Sequence, residues 1–367
     1  MTILNEAKTR YEIVTEKLKS EVLALPPAGK LPPIRSLMER FCVSQATLDR
    51  SLSRLCKQGV LERISGRGYF RSVNAVNKPL RIDFCFFLKK DEISNPLYSM
   101  ITNFLLQEMY RRNCFTNILA YGDFDGLSGF RELIMHNNPD TLILLGCTNV
   151  TFLHLLRAQG LPFLQLYPNC LEESAAAYII DNHDAMRQIV GHLFQLGHRR
   201  IALLHGQGYD GWQMLDQQER IDSYYAAMLA NNLPVSGHLV RFGGFAPQSG
   251  YQAAYKLLLP RHSRPTAIIG NDYNAPGIYQ AAAKLGLKIP EDLSVVGFDG
   301  LPQSQLLHPC LTTIDIRWQD TMRRIADHAI QMARSGMQDS DIFRTEVVLT
   351  PGSSTGPAPT DTQLKQQ

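Results

Sequence analysis

The chain has 367 residues, of which 44% are hydrophobic and 19% charged, and its formal net charge is +3. This length exceeds that of one ordinary domain and predicts two or three domains. No stretch approaches the roughly 18 consecutive apolar residues of a membrane-spanning helix, which excludes an integral helical membrane protein. Polar residues within Met1–Arg10 leave no room for the apolar core of a signal peptide, and the seven cysteines show no pairing pattern. We therefore expect a cytoplasmic protein.

The basic charge is concentrated at the N-terminus. Residues 1–72 contain 13 lysines and arginines against 7 acidic residues, a net charge of +6, and the remainder carries −3. A small basic segment ahead of a mildly acidic body favours binding of a polyanion, such as nucleic acid, by that segment. Charge alone leaves a merely solvated basic face as the alternative.

Three helices and a hairpin are predicted within residues 1–72. Apolar residues recur at helical spacing over 9–25, a second helix begins at Pro32-Pro33, and a third begins at Ser44, a favourable N-cap. The segment 60–72 alternates apolar and polar residues around Gly66-Arg67-Gly68, which predicts a β-hairpin with a tight basic tip. This order of elements is that of a winged helix-turn-helix.

The third helix is narrow enough to enter the major groove of DNA. Its outer face carries Gln45, Thr47, Asp49, Arg50 and Arg54. Gln and Arg side chains can form paired hydrogen bonds with adenine and guanine, and Thr47 can reach a phosphate. Arg67, between two glycines, can approach a minor groove closely. A solvated helix face on a small protein-interaction domain is the competing interpretation.

Four short motifs follow Tyr11 with regular spacing, namely Leu31–Leu37, Val43–Thr47, Gly59–Leu61 and Gly66–Phe70. These motifs resemble the DNA-binding domain of the GntR family. The resemblance implies that Arg35, Ser44, Thr47 and Arg67 contact DNA and that Gly66 and Gly68 shape the wing. We add Gln45, Asp49 and Arg50 to this predicted surface, although the family usually has a basic residue where this chain has Asp49. A carboxylate there can accept a bond from cytosine or orient Arg50, but it repels phosphate.

From residue 81 onwards, short apolar runs alternate with amphipathic helices. The runs are 82–88, 141–145, 163–166, 201–204, 266–269 and 293–296. Near-continuous apolar strands joined by crossover helices indicate parallel sheets covered on both faces, and about 270 residues are too many for one such sheet. We therefore predict an α/β body with two parallel-sheet lobes. The predicted divisions are a linker at 73–80, a body at 81–350, lobe 1 at about 81–181 and 318–345, lobe 2 at about 182–316, and a disordered tail at 351–367.

Ligands of open parallel sheets bind beyond the carboxyl ends of the strands, which here means the cleft between the lobes. Aromatic and polar residues occupy these positions, and they are Asn95, Tyr98, Tyr167, Arg220, Phe245, Asn271 and Asp299. Aromatic rings can stack on the C–H face of a sugar, while fixed polar groups satisfy its hydroxyls. Capping and turn formation is the alternative role of such residues.

Further motifs lie at 195–204, 264–272, 289–299 and 309–314. They are similar to LacI-family regulators, which implies a two-lobed domain of the type I periplasmic-binding-protein kind. The resemblance implies effector binding by Arg220, Asn271 and Asp299, stacking by Phe245, and a first lobe lined by Tyr98 and Tyr167. The whole chain resembles GntR–LacI chimeric repressors, among them arabinose-responsive ones. Ile316 stands where some sugar repressors have a polar residue, and the carboxylate that some of them have near Tyr167 is absent, so the identity of the effector stays open.

The predicted function is that of a ligand-responsive transcription regulator. A homodimer would bind a pseudo-palindromic operator and repress carbohydrate-utilisation genes until a sugar or sugar derivative binds. Transcriptional activation, and a non-sugar effector such as a nucleobase, remain alternatives. No GxSxG, HExxH or P-loop motif occurs, so we predict neither enzymatic activity nor a cofactor or metal.

Three other features are predicted to be structural. Gly206–Gly211 has the letters of a dinucleotide-binding motif, but it lacks the acidic residue on the next strand, so a flexible cleft loop is favoured. The spacing of His183, His192, His198 and His205 matches no common metal site. The indoles of Trp212 and Trp318 are expected to pack at lobe edges rather than to line the cleft.

Overall fold

The computed structural model describes residues 10–26, 28–72, 79–87, 95–121, 127–147, 149–171, 175–206 and 214–359. Most of the predicted linker at 73–80, and residues 207–213 with the greater part of the GxGxxG sequence and Trp212, lie outside these ranges. None of the helices in the described part of the chain is long and apolar enough to cross a membrane.

The N-terminal segment forms the predicted winged helix-turn-helix. Its elements are α1 (Arg10–Ala24), α2 (Ile34–Phe41), α3 (Gln45–Lys57), β1 (Leu61–Ile64) and β2 (Gly68–Arg71). The strands form an antiparallel hairpin in which Leu61 pairs with Arg71 and Ile64 with Gly68. Leu18 of α1 and Leu48 and Leu52 of α3 are fully buried at the centre of a separate small core. These leucines hold one face of α3 against the core, so the opposite face of the helix is directed outward.

The body contains strands and helices in regular alternation. In chain order they are β3 (Ile82–Phe86), α4 (Pro96–Arg111), β4 (Ile118–Ala120), α5 (Leu127–Asn137), β5 (Thr141–Leu145), α6 (Val150–Ala158), β6 (Phe163–Leu166), β7 (Ala177–Ile180), α7 (Asn182–Gln195), β8 (Ile201–His205), α8 (Leu215–Ala230), β9 (Val240–Phe242), α9 (Pro247–Leu258), β10 (Ala267–Ile269), α10 (Ala275–Lys284), β11 (Ser294–Asp299), β12 (Thr312–Asp315), α11 (Trp318–Ser335), β13 (Ile342–Thr345) and β14 (Val348–Thr350).

These strands form two six-stranded sheets, one in each lobe. The order in lobe 1 is β13-β7-β6-β5-β3-β4, and the order in lobe 2 is β14-β12-β11-β10-β8-β9. All pairings are parallel except that of β14 with β12. Every residue of β3, β5 and β11 is buried, as expected for strands covered by helices on both faces. The two-lobed parallel architecture is confirmed.

The chain crosses between the lobes three times, whereas the predicted lobe 2 at 182–316 implied two crossings. The crossings follow β7, β12 and β13, so that β14 and the residues after it belong to lobe 2. The predicted tail at 351–367 is wrong for its first half. Ser354 exchanges hydrogen bonds with the backbone of Val295, and the Ala358 N–H donates to Leu196 O. A composition rich in Pro, Ser and Thr suggested disorder, but these backbone groups pair with distant parts of lobe 2.

Candidate functional site

The cleft between the lobes collects residues from the carboxyl ends of strands in both sheets. All seven predicted effector residues line one cavity of about 70 Å³, and they are Asn95, Tyr98, Tyr167, Arg220, Phe245, Asn271 and Asp299. Ten further residues of this lining were not predicted, among them Met214, Asp216, Gln217, Tyr273 and Trp318. Proximity of the predicted set follows from the fold, because the ends of parallel strands meet at one edge of a sheet.

Arg220 on α8 is held rigidly by polar and aromatic neighbours. Its Nε donates to Asn182 Oδ1 at 3.1 Å, and its Nη2 donates to Asp216 Oδ2 at 3.1 Å. The guanidinium carbon lies 3.6 Å from the centroid of the Phe298 ring. Such a planar fork, fixed before a ligand arrives, presents its remaining N–H groups without further loss of side-chain entropy.

Asp299, the last residue of β11, is a buried carboxyl group beside that guanidinium. Its φ of 107° lies in a region that non-glycine residues rarely adopt, as is common where a side chain must point into a site. Burial raises the pKa of Asp299 to about 7, while Arg220 acts to lower it and Asp216 to raise it. The group can therefore change its protonation state near neutral pH.

Asn271 and Asp272 follow β10 and have different partners. The Asn271 Oδ1 accepts the N–H of Asn274, and its Nδ2 donates to Gly244 O at 3.4 Å. Asp272 accepts the Leu301 N–H at 2.6 Å and the Thr313 hydroxyl at 2.5 Å. Burial and the nearby Asp299 raise the pKa of Asp272 well above its usual range. Asn271 thus lines the cavity, and Asp272 anchors the loop behind it.

Aromatic rings close the cavity from both lobes. The Phe245 ring lies against Gly206, where a Cβ atom would approach its ring carbons to between 2.0 and 2.6 Å. The rings of Tyr167 and Trp318 meet edge to face at 5.3 Å. Tyr167 has a positive φ of 44°, and burial raises the pKa of its hydroxyl. Trp318 lines the cavity, contrary to the expectation that it packs at a lobe edge, because it follows the second crossing between the lobes.

The unpredicted residues carried weak signals in the sequence. Asp216 and Arg220 are four residues apart on one helix, the spacing of an ion pair, and the structure places them 3.1 Å apart. Met214 directly precedes that helix, and Gln217 lies in its first turn. The sequence before them showed no regular pattern of apolar residues. Tyr273 is part of the sequence that follows β10, beside two predicted residues.

A second group of predicted residues lies on the winged helix-turn-helix. Ser44 caps α3 by accepting the Thr47 N–H at 3.3 Å, and Gln45 and Arg50 are exposed. The Arg50 guanidinium lies 4.8 Å from the centroid of the Tyr11 ring. Asp49 is half-buried and faces the wing, where its charge acts on Tyr69. The exposed end of α3 is thus its N-terminal half.

Arg35 on α2 and the tip of the wing are exposed as well. The Arg35 side chain on α2 is 92% exposed and is 3.5 Å from Glu39. Gly66 and Gly68 have φ values of 72° and 104°, and they hold the exposed Arg67 at the tip of the hairpin. Arg35 and Arg67 are thus exposed, as are Gln45 and Arg50 on α3.

His198, one of the four histidines considered as metal ligands, has hydroxyl and carbonyl partners. His198 is buried, and its ring nitrogens contact the hydroxyls of Thr266 and Ser294 at 2.9 Å each and Gly356 O at 3.1 Å. Burial lowers its pKa to about 4. Within the described ranges, no three His, Cys, Asp or Glu side chains converge as metal ligands would.

Two family models match the chain. The model of bacterial regulatory proteins of the gntR family matches residues 10–70, and that of the periplasmic binding protein-like domain matches residues 190–355. The probable HTH-type transcriptional repressor ExuR of Bacillus subtilis is 28% identical over 179 residues, which are 48% of this chain and 52% of that protein. The HTH-type transcriptional repressor PurR of Serratia proteamaculans is 37% identical over 141 residues, 37% of this chain and 39% of that protein. The chain thus spans about half or less of the length of these curated relatives.

Solved structures with the same fold cover most of the chain. A regulatory protein of the LacI family from Chloroflexus aggregans is 25% identical, with a TM-score of 0.66 over 75% of this chain and 98% of that chain. A LacI-family regulator from Enterococcus faecium, solved with bound ribose, is 24% identical, with a TM-score of 0.65 over 75% of this chain and 99% of that chain. The chain therefore combines an N-terminal segment that matches the gntR-family model with a two-lobed domain whose fold is similar to that of LacI-family regulators.

Proposed function

We propose that this protein is a ligand-responsive transcription regulator without enzymatic activity. It binds operator DNA as a homodimer and releases it when a sugar or sugar derivative occupies the cleft. One observation carries the proposal: an exposed basic reading surface is joined to a two-lobed domain whose cleft holds prearranged polar and aromatic side chains. The relatives named as repressors favour repression over activation.

DNA binding is proposed for the surface formed by α2, α3 and the wing. Arg35 and Arg67 are assigned to phosphates and the minor groove, and Gln45 and Arg50 to base edges in the major groove. Ser44 and Thr47, whose hydroxyl oxygens are 3.0 Å apart, are assigned to a phosphate at the start of α3. Asp49, half-buried beneath the wing, is assigned to orienting its neighbours rather than to a phosphate.

Effector binding is proposed for the cleft residues of both lobes. Arg220 offers donors, Asp299 and Asn271 offer both hydrogen-bond roles, and Phe245 offers a stacking face. The cavity of about 70 Å³ is well below the roughly 300 Å³ of a typical small-molecule site, so a ligand enters only when the lobes separate. Binding is then linked to lobe movement, which is the requirement for an allosteric response.

A planar nucleobase is the second candidate effector. The Phe245 ring can stack on a flat heterocycle as well as on a sugar, and Arg220 and Asn271 can bond to its edge. The lining therefore supports both chemistries, and ligand screening separates them.

Dimerisation is proposed through the edge strand of lobe 1. Tyr110, Phe115 and Ile118 are 86%, 62% and 43% exposed, and they lie within nine residues, at the end of α4, in the connection that follows it and in β4. Phe242 in β9, the corresponding edge strand of lobe 2, is also exposed. Apolar side chains grouped in this way favour burial against a second copy, which would pair two winged helices for a two-fold operator.

A thermal-shift screen of the full chain tests the proposed effector class. Monosaccharides, their acid and phosphate derivatives and nucleobases are compared, because a specific ligand raises the melting temperature by mass action. The ligand found is then added to the chain bound to duplexes from its own genomic neighbourhood. We expect release of DNA by the wild type and no release by Asp299→Ala, which keeps its DNA affinity.

An exposed acidic residue of the same lobe supplies the control. Asp222→Ala on α8 should respond to the ligand as the wild type does. If the wild type binds none of these duplexes, with or without ligand, the proposed function is wrong.

A further inference from the structure

The C-terminal end of α3 packs directly on lobe 1. A Cβ atom at Gly336 would lie 2.3 Å from Gln58 Nε2 and 3.0 Å from Arg54 Nη2, and one at Gly160 would lie 3.5 Å from Arg54 Nη1. A side chain at 336 would therefore displace the ends of the Gln58 and Arg54 side chains, and the φ of 67° at this position also favours glycine. We call the winged helix-turn-helix the head, and we call its contact with lobe 1 the head seat. The head seat is formed by Arg54 and Gln58 of α3 with Gly160 and Gly336 of lobe 1.

The charges at the head seat are complementary in a specific way. Gly160 and Gly336 follow the C-terminal ends of α6 and α11, where the helix dipole concentrates partial negative charge. The Arg54 guanidinium lies against both ends, so its positive charge is favourably placed. Lys19 of α1 is half-buried nearby, and burial, with Arg54 and Arg334, lowers its pKa to about 8, against the effect of Asp140. Lys19 therefore lies among like charges, with Asp140 as the group of opposite charge.

The DNA surface and the head seat occupy opposite ends of the same helix. Ser44 and Gln45 begin α3 and are exposed, whereas Gln58 ends it against lobe 1. Because α3 is rigid and its leucines are fully buried, a displacement at the seat moves the reading surface with it.

A single helix of lobe 1 connects the head seat with the cleft. α11 begins at Trp318, which lines the cavity, and is capped by Gly336 at the seat. Its 18 residues span about 27 Å at the usual rise of an α-helix. Ten of these residues are buried, so α11 moves as a unit with its surroundings. At its cleft end, the Trp318 indole N–H donates to the backbone oxygen of Asp299 in lobe 2.

We propose that α11 couples the cleft to the DNA-binding head through the head seat. Closure of lobe 2 on the cleft acts on Trp318, and the movement of α11 alters the contact of Gly336 with Arg54 and Gln58. The inference extends the proposed function, but it concerns contacts within the chain, so its test requires neither operator nor effector. Energetic coupling is reciprocal, so a weaker contact at the head seat must change the local stability of the cleft end of α11.

Hydrogen exchange of the full chain, followed by mass spectrometry, tests both parts. Gly336→Asn adds a side chain at the seat with little backbone strain, because Asn tolerates a positive φ. The matched control is Gly286→Asn, since Gly286 also follows a helix, has φ 70°, and has nothing within 4 Å of its Cβ position. We expect the amides of residues 58–60 to exchange about tenfold faster in Gly336→Asn, and those of residues 318–322 to change by at least about threefold.

A second variant tests the same contact in case Gly336→Asn does not fold. Arg54→Ala removes the cation from the seat, and Arg50→Ala, on the same helix and near the same Tyr11 ring, is its control. Arg54→Ala should reproduce both changes. In both controls the amides of residues 58–60 and 318–322 should exchange as in the wild type. Unchanged exchange at 58–60 in the seat variants would overturn the docking, and a loosened seat with unchanged exchange at 318–322 would overturn the coupling.

Discussion

The indole N–H of Trp318 donates a hydrogen bond to the backbone carbonyl of Asp299, which joins the first residue of the lobe 1 helix α11 to the last residue of the lobe 2 strand β11. The two residues also line the same cavity. Because one partner is main chain, the bond reports the position of the strand and not that of the carboxyl group. This bond therefore connects the two lobes directly beside the cavity.

Removal of this bond should open the ligand-free protein. In Trp318→Phe the ring remains but the donor is lost, at a cost of about 1 kcal/mol to the closed arrangement. Small-angle X-ray scattering should show a larger radius of gyration than in the wild type. Tyr279→Phe is the control, because it removes a hydrogen bond to Pro309 O within lobe 2 alone. Equal radii for Trp318→Phe and the wild type would contradict a closing role.

Asp299 should make stability depend on pH. Its pKa is about 7 in the folded chain and 3.8 ordinarily, so the folded state binds more protons between these values. The contribution of Asp299 to the free energy of unfolding is then fully present below about pH 4, falls as the pH rises towards 7, and levels off above it, by an amount on the order of a few kcal/mol. Asp299→Asn should reduce this fall, measured as the melting temperature of the body against pH.

Other residues define the background of that measurement. Asp272, whose pKa is raised by burial and by Asp299, contributes a fall of the same sign. His198, whose pKa is lowered to about 4, contributes stability that increases as the pH rises from about 4 to 6.5, and it is unchanged in the variant. Asp222→Asn, an exposed residue of the same lobe, should keep the wild-type profile. An identical slope in Asp299→Asn and the wild type would mean that burial does not perturb Asp299.

Gly206 should be required for the position of Phe245. In Gly206→Ala the new Cβ would overlap the ring, so Phe245 must leave its place in the cleft. We expect the affinity for the ligand found by thermal shift to fall by about threefold to tenfold, the value of one aromatic stack. Gly191→Ala, inside α7 with open space around it, should leave affinity unchanged and stabilise its helix by up to about 1 kcal/mol. Unaltered binding by Gly206→Ala would remove Phe245 from the proposed site.

The predicted cleft residues could be found because they share one topological property. Asn271 and Asp299 end neighbouring parallel strands, and strand ends can be recognised from apolar runs in the sequence alone. Trp318 was expected at a lobe edge although a crossing was predicted directly before it, since the direction of its indole depends on Tyr167 and Asp299, which are distant in the chain. Ser354 was assigned to a disordered tail because its partner, Val295, is 59 residues away in the chain. Long-range pairings of this kind are determined by the assembled fold.

The edge of lobe 1 should control the oligomeric state. Ile118→Asp places a charge on the exposed apolar edge, where burial of an unpaired carboxylate would be costly. Analytical ultracentrifugation should then give the mass of a monomer, against a dimer for the wild type. Leu306→Asp, on a surface segment of lobe 2 where the leucine is highly exposed, should remain dimeric. A dimeric Ile118→Asp would show that the copies meet elsewhere.

Arg35 should contribute to DNA affinity without contributing to sequence preference. Its side chain extends into solvent at the start of α2 and has a single weak ion pair with Glu39, so it is free to contact a phosphate. In Arg35→Ala, binding to every duplex should weaken, and the slope of log affinity against log salt should fall by about one. Arg187→Ala, which removes an exposed arginine from the body, should change neither quantity. Loss of affinity for one sequence only, with the salt slope unchanged, would instead assign Arg35 to a base edge.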